Sequence, residues 1–247
     1  MQTAYLWHKL YLYSKKIAPV LIVCLATVTP GLAQQYRWVN QNNPNYDNRK
    51  ISYGFLIGLH TTAYQLKYSD QFVTPSLDTV YSVEPGWSPG FSLGFIVNYR
   101  LADLLDFRVT PKVAFYENTL LYRYTDDTPN EEKLVETTMV ELPLLLKYKS
   151  ERRGNIRMYM VGGVKPGLEA SGKKNQENAA NAVGITKMNL SLDVGFGFDL
   201  YYPLFKFSPE LRFSRGVVDI LDNTTNKYGQ PLSRLNTNTI TLYLLFQ

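Results

Sequence analysis

The sequence predicts an all-β fold: an eight-stranded antiparallel transmembrane β-barrel with short periplasmic turns and long external loops. Three observations support this fold class. Apolar and polar residues alternate with period two in successive segments beyond residue 50. The connections between these segments are alternately short and long. Aromatic residues make up 14% of the chain, an excess that is expected where Tyr and Trp line the interfaces of a membrane.

The first 33 residues have the composition of a signal peptide. A basic start precedes an apolar run over residues 17–28, and small residues follow, so we place cleavage between Ala33 and Gln34. The apolar run is about a dozen residues long, whereas a membrane-spanning helix needs about 20. An uncleaved N-terminal anchor is the alternative interpretation.

The charge of the chain resides mostly in this leader. The formal net charge is +5, but the leader contributes three lysines and no acidic residue, which leaves 23 basic against 21 acidic residues. A nucleic-acid partner is therefore not expected. The single cysteine, Cys24, also lies in the leader, so we expect neither disulfides nor thiolate chemistry in the mature protein.

The mature chain is divided into a short segment and the barrel. Residues 34–50 are rich in Asn and Gln, contain Pro44 and have no hydrophobic period. They are predicted to be a flexible periplasmic N-terminal segment. The outer-membrane β-barrel is assigned to residues 51–247.

Eight segments of the barrel region alternate strictly. A soluble β-sandwich also alternates, so the content of the two faces decides between the folds. Here the face opposite the apolar one carries Gly, Ser, Asn and charged residues, which indicates a polar lumen with the apolar face towards lipid. The eight predicted strands cover residues 53–61, 90–100, 105–115, 140–149, 156–165, 189–200, 205–214 and 239–246.

The predicted connections match an outer-membrane barrel. Closing the sheet also removes the exposed edges that promote aggregation. An even number of strands after a cleaved leader places both termini in the periplasm. The short links are residues 101–104, 150–155 and 202–204, and the long links are residues 66–87, 124–135, 172–187 and 216–236.

A barrel of eight strands has a lumen that side chains nearly fill, so a wide pore is excluded. Buried charges must then pair, which predicts a structural charge network. A narrow ion or proton path, or binding at either mouth, is the alternative. The predicted inward cations are Arg100, Arg108, Lys112, Lys147, Arg157, Lys165, Lys206 and Arg212, and the predicted inward anions are Asp106, Glu141, Asp193, Asp199 and Glu210.

The residues give little basis for catalysis, a metal site or a cofactor. His60 is the one histidine beyond the leader, and no G-x-S-x-G motif surrounds a serine. Metal ligation is not expected from a single histidine without cysteines. We therefore expect no enzyme activity, no cofactor and no small-molecule substrate. An outer-membrane lipid-modifying enzyme that uses His60 as its base is the alternative.

Several stretches resemble the PorT family of the type IX secretion system, within the PorT-like outer-membrane barrels of Bacteroidota. The most specific stretch contains FKFSPEL and GVVDIL, whereas ELPLLLKY alone is also compatible with many generic barrels. The similar stretches are SYGFLIGLHTTAY from Ser52, SPGFSLGFIVNYRL from Ser88, FRVTPKVAF from Phe107, ETTMVELPLLLKYK from Glu136, RMYMVGGVKPGLE from Arg157 and DVGFGFDLYYPLFKFSPELRFSRGVVDIL from Asp193.

This resemblance implies a non-enzymatic outer-membrane component of type IX protein secretion, and of gliding motility where that occurs. It implies outer-membrane lipid and other secretion components as partners, and it supplies no catalytic residues. Glu141 and Glu210 match family positions and are expected to accept hydrogen bonds from Arg or Lys in the lumen. A generic structural or adhesive barrel is the remaining alternative.

Overall fold

The computed structural model describes residues 42–69, 80–124, 131–170, 186–221 and 231–247. The described regular structure is one 3-10 helix, Pro44–Asn48, and strands in a single sheet. The strands are β1 (Ile51–Tyr68), β2 (Val80–Pro85), β3 (Ser88–Arg100), β4 (Leu105–Val109), β5 (Lys112–Tyr124), β6 (Glu131–Glu141), β7 (Leu144–Lys149), β8 (Ile156–Glu169), β9 (Met188–Tyr201), β10 (Lys206–Gly216) and β11 (Leu232–Phe246).

These eleven segments form eight barrel strands. β2 and β3, β4 and β5, and β6 and β7 are consecutive pieces of three interrupted strands. Pro111 lies in the second interruption and Pro143 in the third, where a residue without an N–H cannot donate to a neighbouring strand. Their carbonyl groups still accept hydrogen bonds, from Phe95 N at 2.9 Å and from Thr110 N at 3.1 Å respectively.

The sheet closes on itself. β1 pairs with β3 on one side and with β11 on the other, in a register that runs from Phe55↔Phe246 to Tyr68↔Leu232. β8 pairs with β9, which completes the ring, and every pairing is antiparallel. The predicted eight-stranded antiparallel barrel is therefore confirmed. We call the end with the connections at 101–104, 150–155 and 202–205 the turn end, and the opposite end the loop end.

The two faces of the wall differ in polarity along most of its height. On β9, Leu192, Val194 and Phe196 are exposed on the outside, whereas Asp193 and Asp199 are buried inside. The same alternation places large apolar residues outside on the neighbouring strands. This is the polarity of a membrane barrel and the reverse of a soluble sandwich.

In the described part of the chain, no helix has the length and apolar character needed to cross a membrane.

The strands continue further towards the loop end than the sequence predicts. β1 extends to Tyr68, and β5 and β6 pair as far as Tyr122↔Glu131, so that β6 begins inside the predicted long link 124–135. Three of the four long connections are therefore shorter than expected, whereas the connection between β8 and β9 is not. The reason is that inward residues become apolar above the membrane part and form a second core, the apolar cap, made of Tyr64, Val83, Leu120, Tyr122, Ile220, Leu232 and Leu235.

The signal peptide and the cleavage position between Ala33 and Gln34 lie outside the described residues. Of the predicted flexible segment 34–50, the structure describes residues 42–50, and these make specific contacts at the turn end. The amide of Asn42 donates to Tyr201 O at 3.0 Å, and that of Asn43 donates to Tyr202 O at 2.8 Å.

Candidate functional site: the charge network and cavity of the lumen

All eleven residues of the predicted lumen network lie inside the barrel, and none is more than 8% exposed. They come from five of the eight barrel strands, and those on opposite sides of the lumen meet because the sheet closes. They are Asp106, Arg108, Lys112, Glu141, Lys147, Arg157, Lys165, Asp193, Asp199, Glu210 and Arg212. Lys206 is also buried.

Glu210 is the centre of the middle part of the network. Arg108 reaches it across the lumen from β4 with an N···O distance of 2.6 Å. Arg212, two residues along the same strand, donates to its other oxygen and also pairs with Asp193 at 3.4 Å. The hydroxyl of Tyr159 donates to Glu210 at 2.9 Å. Two guanidinium groups and two carboxylates therefore balance in charge at this level.

Asp199 organises a second group of charges close to the first. Lys147 Nζ lies 2.6 Å from one of its oxygens, and the hydroxyl of Ser208 donates to the other at 2.7 Å. Lys206 is more distant, at 3.9 Å. Nearer the turn end, Lys149 pairs with Asp106 at 2.6 Å.

Glu141 is the anion nearest the loop end, and two lysines share it. Lys112 Nζ lies 2.8 Å from one carboxylate oxygen, and Lys165 Nζ lies 3.2 Å from the other. The hydroxyl of Tyr116 also donates to Glu141 at 2.8 Å. This level therefore has one more cation than anion among its paired groups.

The turn end is closed by a residue that the sequence did not single out. Asp47, in the 3-10 helix, accepts from Arg157 at 2.9 Å and from the Tyr201 hydroxyl at 3.0 Å, and it lies 3.5 Å from Arg152. Its backbone carbonyl accepts from Arg100 at 2.5 Å. The predicted flexible segment thus supplies an anion to cations of the barrel mouth.

Arg100 lies on the predicted inward side, but at the mouth of the barrel, where it lines a pocket with Asp106 and Arg157. Its side chain is 27% exposed and pairs with Asp103 of the adjacent turn. The residue is the last of β3, so its side chain lies at the rim of the barrel.

Inward tyrosines complete the network, and glycines make space for them. A Cβ on Gly197 would lie 2.6 Å from the Tyr159 ring, and one on Gly58 would lie 2.7 Å from the Tyr243 ring. Lys147 Nζ is 3.8 Å from the centroid of the Tyr159 ring, and the guanidinium of Arg212 is 4.4 Å from that of Tyr243. The aromatic faces thus stabilise cations that lie away from water.

His60 lies inside the barrel on β1 and is 5% exposed. Its ring centroid is 4.5 Å from that of Tyr116, and its Nε2 is buried without a hydrogen-bond partner among the described residues. Within those same residues, no group of three His, Cys, Asp or Glu side chains is placed to hold a metal ion.

A cavity of about 40 Å³ lies between the Glu141 level and the apolar cap. Nine of its twelve lining residues carry a hydroxyl or side-chain amide group, and Lys165 is also among them. Two lining amide oxygens, Asn118 Oδ1 and Asn189 Oδ1, are buried without a hydrogen-bond partner in the described structure. The cavity is lined by Thr62, Tyr64, Tyr116, Asn118, Thr137, Met139, Lys165, Thr186, Asn189, Ile220, Thr237 and Thr239.

Sequence reasoning missed Asp47. The alternation places Lys149, Tyr159 and Tyr243 on the inward face, but the predicted charge network does not include them. Lys149 continues the polar face of Lys147 by period two. Tyr159 and Tyr243 fall on inward positions by the same period, but a tyrosine is equally common facing lipid headgroups. Asp47 precedes the barrel, and nothing in its local pattern indicates that it folds onto Arg157.

A family model described as "Outer membrane protein beta-barrel domain" matches residues 33–222. A search of curated proteins gives no significant match. Among solved structures, OprG of Pseudomonas aeruginosa is 15% identical with a TM-score of 0.43, covering 81% of this chain and 95% of OprG. Neisserial surface protein A is 12% identical with a TM-score of 0.38, covering 80% of this chain and 98% of its own. Ail of Yersinia pestis is 13% identical with a TM-score of 0.32, covering 78% and 96%.

Proposed function

Because the chain belongs to the outer membrane protein beta-barrel domain family, we propose that it is a non-enzymatic component of the type IX protein secretion system. It acts through partner contacts at its loops and turns, and in gliding species it also serves motility. One observation supports this role over that of a pore: buried ion pairs around Glu210 and Asp199 fill the middle of the lumen. A barrel with a filled lumen can bind partners at its surface, whereas its interior has no room for a passing solute.

The type IX assignment is based on the sequence resemblance, and the most specific stretch has a clear structural use. In GVVDIL, Asp219 Oδ1 accepts from Leu221 N and from Leu235 N, both at 3.0 Å. These two bonds hold the chain after β10 against β11, so that Ile220 enters the apolar cap. The stretch therefore shapes the loop end, where we propose that secretion partners bind.

A clean deletion strain with a complementing plasmid tests the proposal. Proteomics of the periplasm and the culture medium should show cargo with type IX C-terminal signals retained in the periplasm and lost from the medium. Complementation should restore export. Normal export in the deletion strain would overturn the type IX role and favour a generic structural or adhesive barrel.

The alternative enzyme would use His60. Its buried Nε2 and its packing on Tyr116 support a structural role instead. In the complementation assay, we expect His60→Ala to restore export to the level of the unchanged protein. Loss of export in a His60→Ala barrel that is folded and inserted would favour the enzyme.

We further propose that the turn end, with both termini, faces the periplasm. The chain's single cysteine, Cys24, lies in the leader, so a maleimide should label only the introduced cysteines of the mature protein. On intact cells a membrane-impermeant maleimide should label Lys67→Cys at the loop end. It should label Glu151→Cys at the turn end only after the outer membrane is permeabilised. The reverse pattern would invert the orientation.

A further inference from the structure

The cavity near the loop end has the features of an anion site. Lys165 and Lys112 both pair with the single carboxylate of Glu141, so this level has a net charge of +1. Asp193, the next carboxylate below, is already paired with Arg212. Glu169, the next carboxylate above on β8, is only half-buried, so solvent weakens its effect on Lys165. A net charge buried away from water is unfavourable, and a counter-ion in the adjoining cavity would neutralise it.

The donors of the site are suited to an anion. The ammonium group of Lys165 has three N–H donors, and the described contacts use two, to Glu141 at 3.2 Å and to the Tyr116 hydroxyl at 3.4 Å. The third is available towards the cavity. Thr237 also lines the cavity: its hydroxyl accepts from the Asn189 amide at 3.3 Å and keeps its own hydrogen for donation.

The two amide oxygens in the wall indicate that water accompanies the ion. Asn118 is 4% exposed, and its Oδ1 accepts no hydrogen bond; the same holds for Oδ1 of Asn189. A water molecule can donate one hydrogen to such an oxygen and the other to an anion. A water needs at least about 10–15 Å³ on this scale, so about 40 Å³ accommodates roughly three particles of water size.

We propose that this cavity binds one small monovalent anion of the size of chloride, together with two water molecules. The anion lies against Lys165 and neutralises the positive charge left at the Glu141 level. It thereby connects Lys165, a member of the charge network, to the cavity wall below the apolar cap. The site is independent of the proposed secretion role, since it follows from charge, volume and donors alone.

Bromide provides a direct probe of the site. The intact barrel, purified in detergent and crystallised with sodium bromide, should give an anomalous peak in hydrogen-bond contact with Lys165 Nζ. In solution, the midpoint temperature of the heat-induced gel shift should rise and saturate with sodium chloride. It should not do so with sodium gluconate at equal ionic strength, because gluconate is too large for the cavity.

Variants separate this site from general effects of salt. Lys165→Met should abolish the saturable response to chloride. Lys206→Met is the matched control, because it also removes a buried cation but lies at the Asp199 level, outside the cavity. If Lys165→Met does not fold, Asn118→Leu is the second variant: it fills the cavity with an apolar group and should abolish the response while Lys165 remains.

Two outcomes would overturn the proposal. Water alone in the cavity, without anomalous signal, would show that no anion binds there. A bromide peak without a saturable solution response, or with an equal response in Lys165→Met, would identify an adventitious ion only.

Discussion

The membrane part of the barrel and its extension at the loop end bury opposite kinds of side chain. In the membrane part, Arg108, Glu210 and Asp199 are enclosed, while Phe196 faces outwards. In the extension, the apolar cap is enclosed, and outward positions carry residues such as Gln65. The same strands run through both parts, so the inversion occurs along individual strands.

The medium outside the wall explains this difference. Towards lipid, an apolar outer surface is required and the polar residues must satisfy one another inside. Above the membrane, water surrounds the wall, and the usual burial of apolar side chains stabilises the pairing. One closed sheet therefore contains two cores in series. The core of the membrane part is mainly polar, with a small apolar cluster of Leu56, Ile96, Tyr243 and Leu245, and the core of the extension is hydrophobic. Each core should respond to substitutions that the other tolerates.

The largest effect is expected at the centre of the polar core. Glu210→Gln keeps the shape of the side chain but leaves Arg108 and Arg212 without their shared carboxylate. Breaking a buried pair in this way costs about 3–5 kcal/mol. Urea unfolding in detergent micelles, followed by the gel shift, measures the loss. A loss below about 1 kcal/mol would mean that water screens these arginines, as it does at a surface.

In the hydrophobic core, truncation should have a comparable cost but a local outcome. Leu120 is fully buried in the apolar cap, so Leu120→Ala should cost about 2–5 kcal/mol. Because the cap lies above the charge network, we expect faster proteolysis of the loop end with an unchanged midpoint of the barrel gel shift. Gln65→Ala, on the outer face of the same extension, is the control. Equal shifts of both readouts would show that the two cores unfold together.

The outer face should show the inversion directly. Val194 is 60% exposed on the lipid-facing side of β9. Val194→Arg should cost about 2–4 kcal/mol on folding into lipid vesicles, as a charge does near the bilayer midplane. Gln65→Arg, also outward but in the extension, should fold into vesicles as well as the unchanged chain. If both variants insert equally well, the membrane boundary is not where the polarity changes.

Much of this arrangement follows from the period-two pattern. The alternation predicted all eight barrel strands and the inward direction of Lys147, Asp193 and Arg212, because side-chain direction in a strand depends only on parity. The pattern could not give the partners. Arg108 and Glu210 are 102 residues apart and meet only across the closed lumen.

The extension was missed because its polarity is inverted. Leu120 and Tyr122 lie between the predicted strand 105–115 and the predicted link 124–135, whereas in the structure they continue the inward face of β5 with apolar side chains. The predicted strand was recognised by its apolar, lipid-facing residues, and this apolar series ends at Phe115. The fold of Asp47 onto Arg157 was likewise unpredictable, since it depends on a non-local ion pair at the barrel mouth.

The smallest effect is expected at the exposed ion pair of the extension. Arg123 and Glu84 lie 2.9 Å apart, with side chains 46% and 48% exposed. Glu84→Gln should therefore cost at most about 1 kcal/mol. Salt should erase even this difference, because ions screen surface charges within about 10 Å at 0.1 M.

The loss caused by Glu210→Gln should persist at high salt. Thermal protease protection of the loop end, measured for both variants at low and high sodium gluconate, tests this contrast without supplying a small anion. A salt-sensitive Glu210 variant would place water in the middle of the lumen and would contradict the division into two cores.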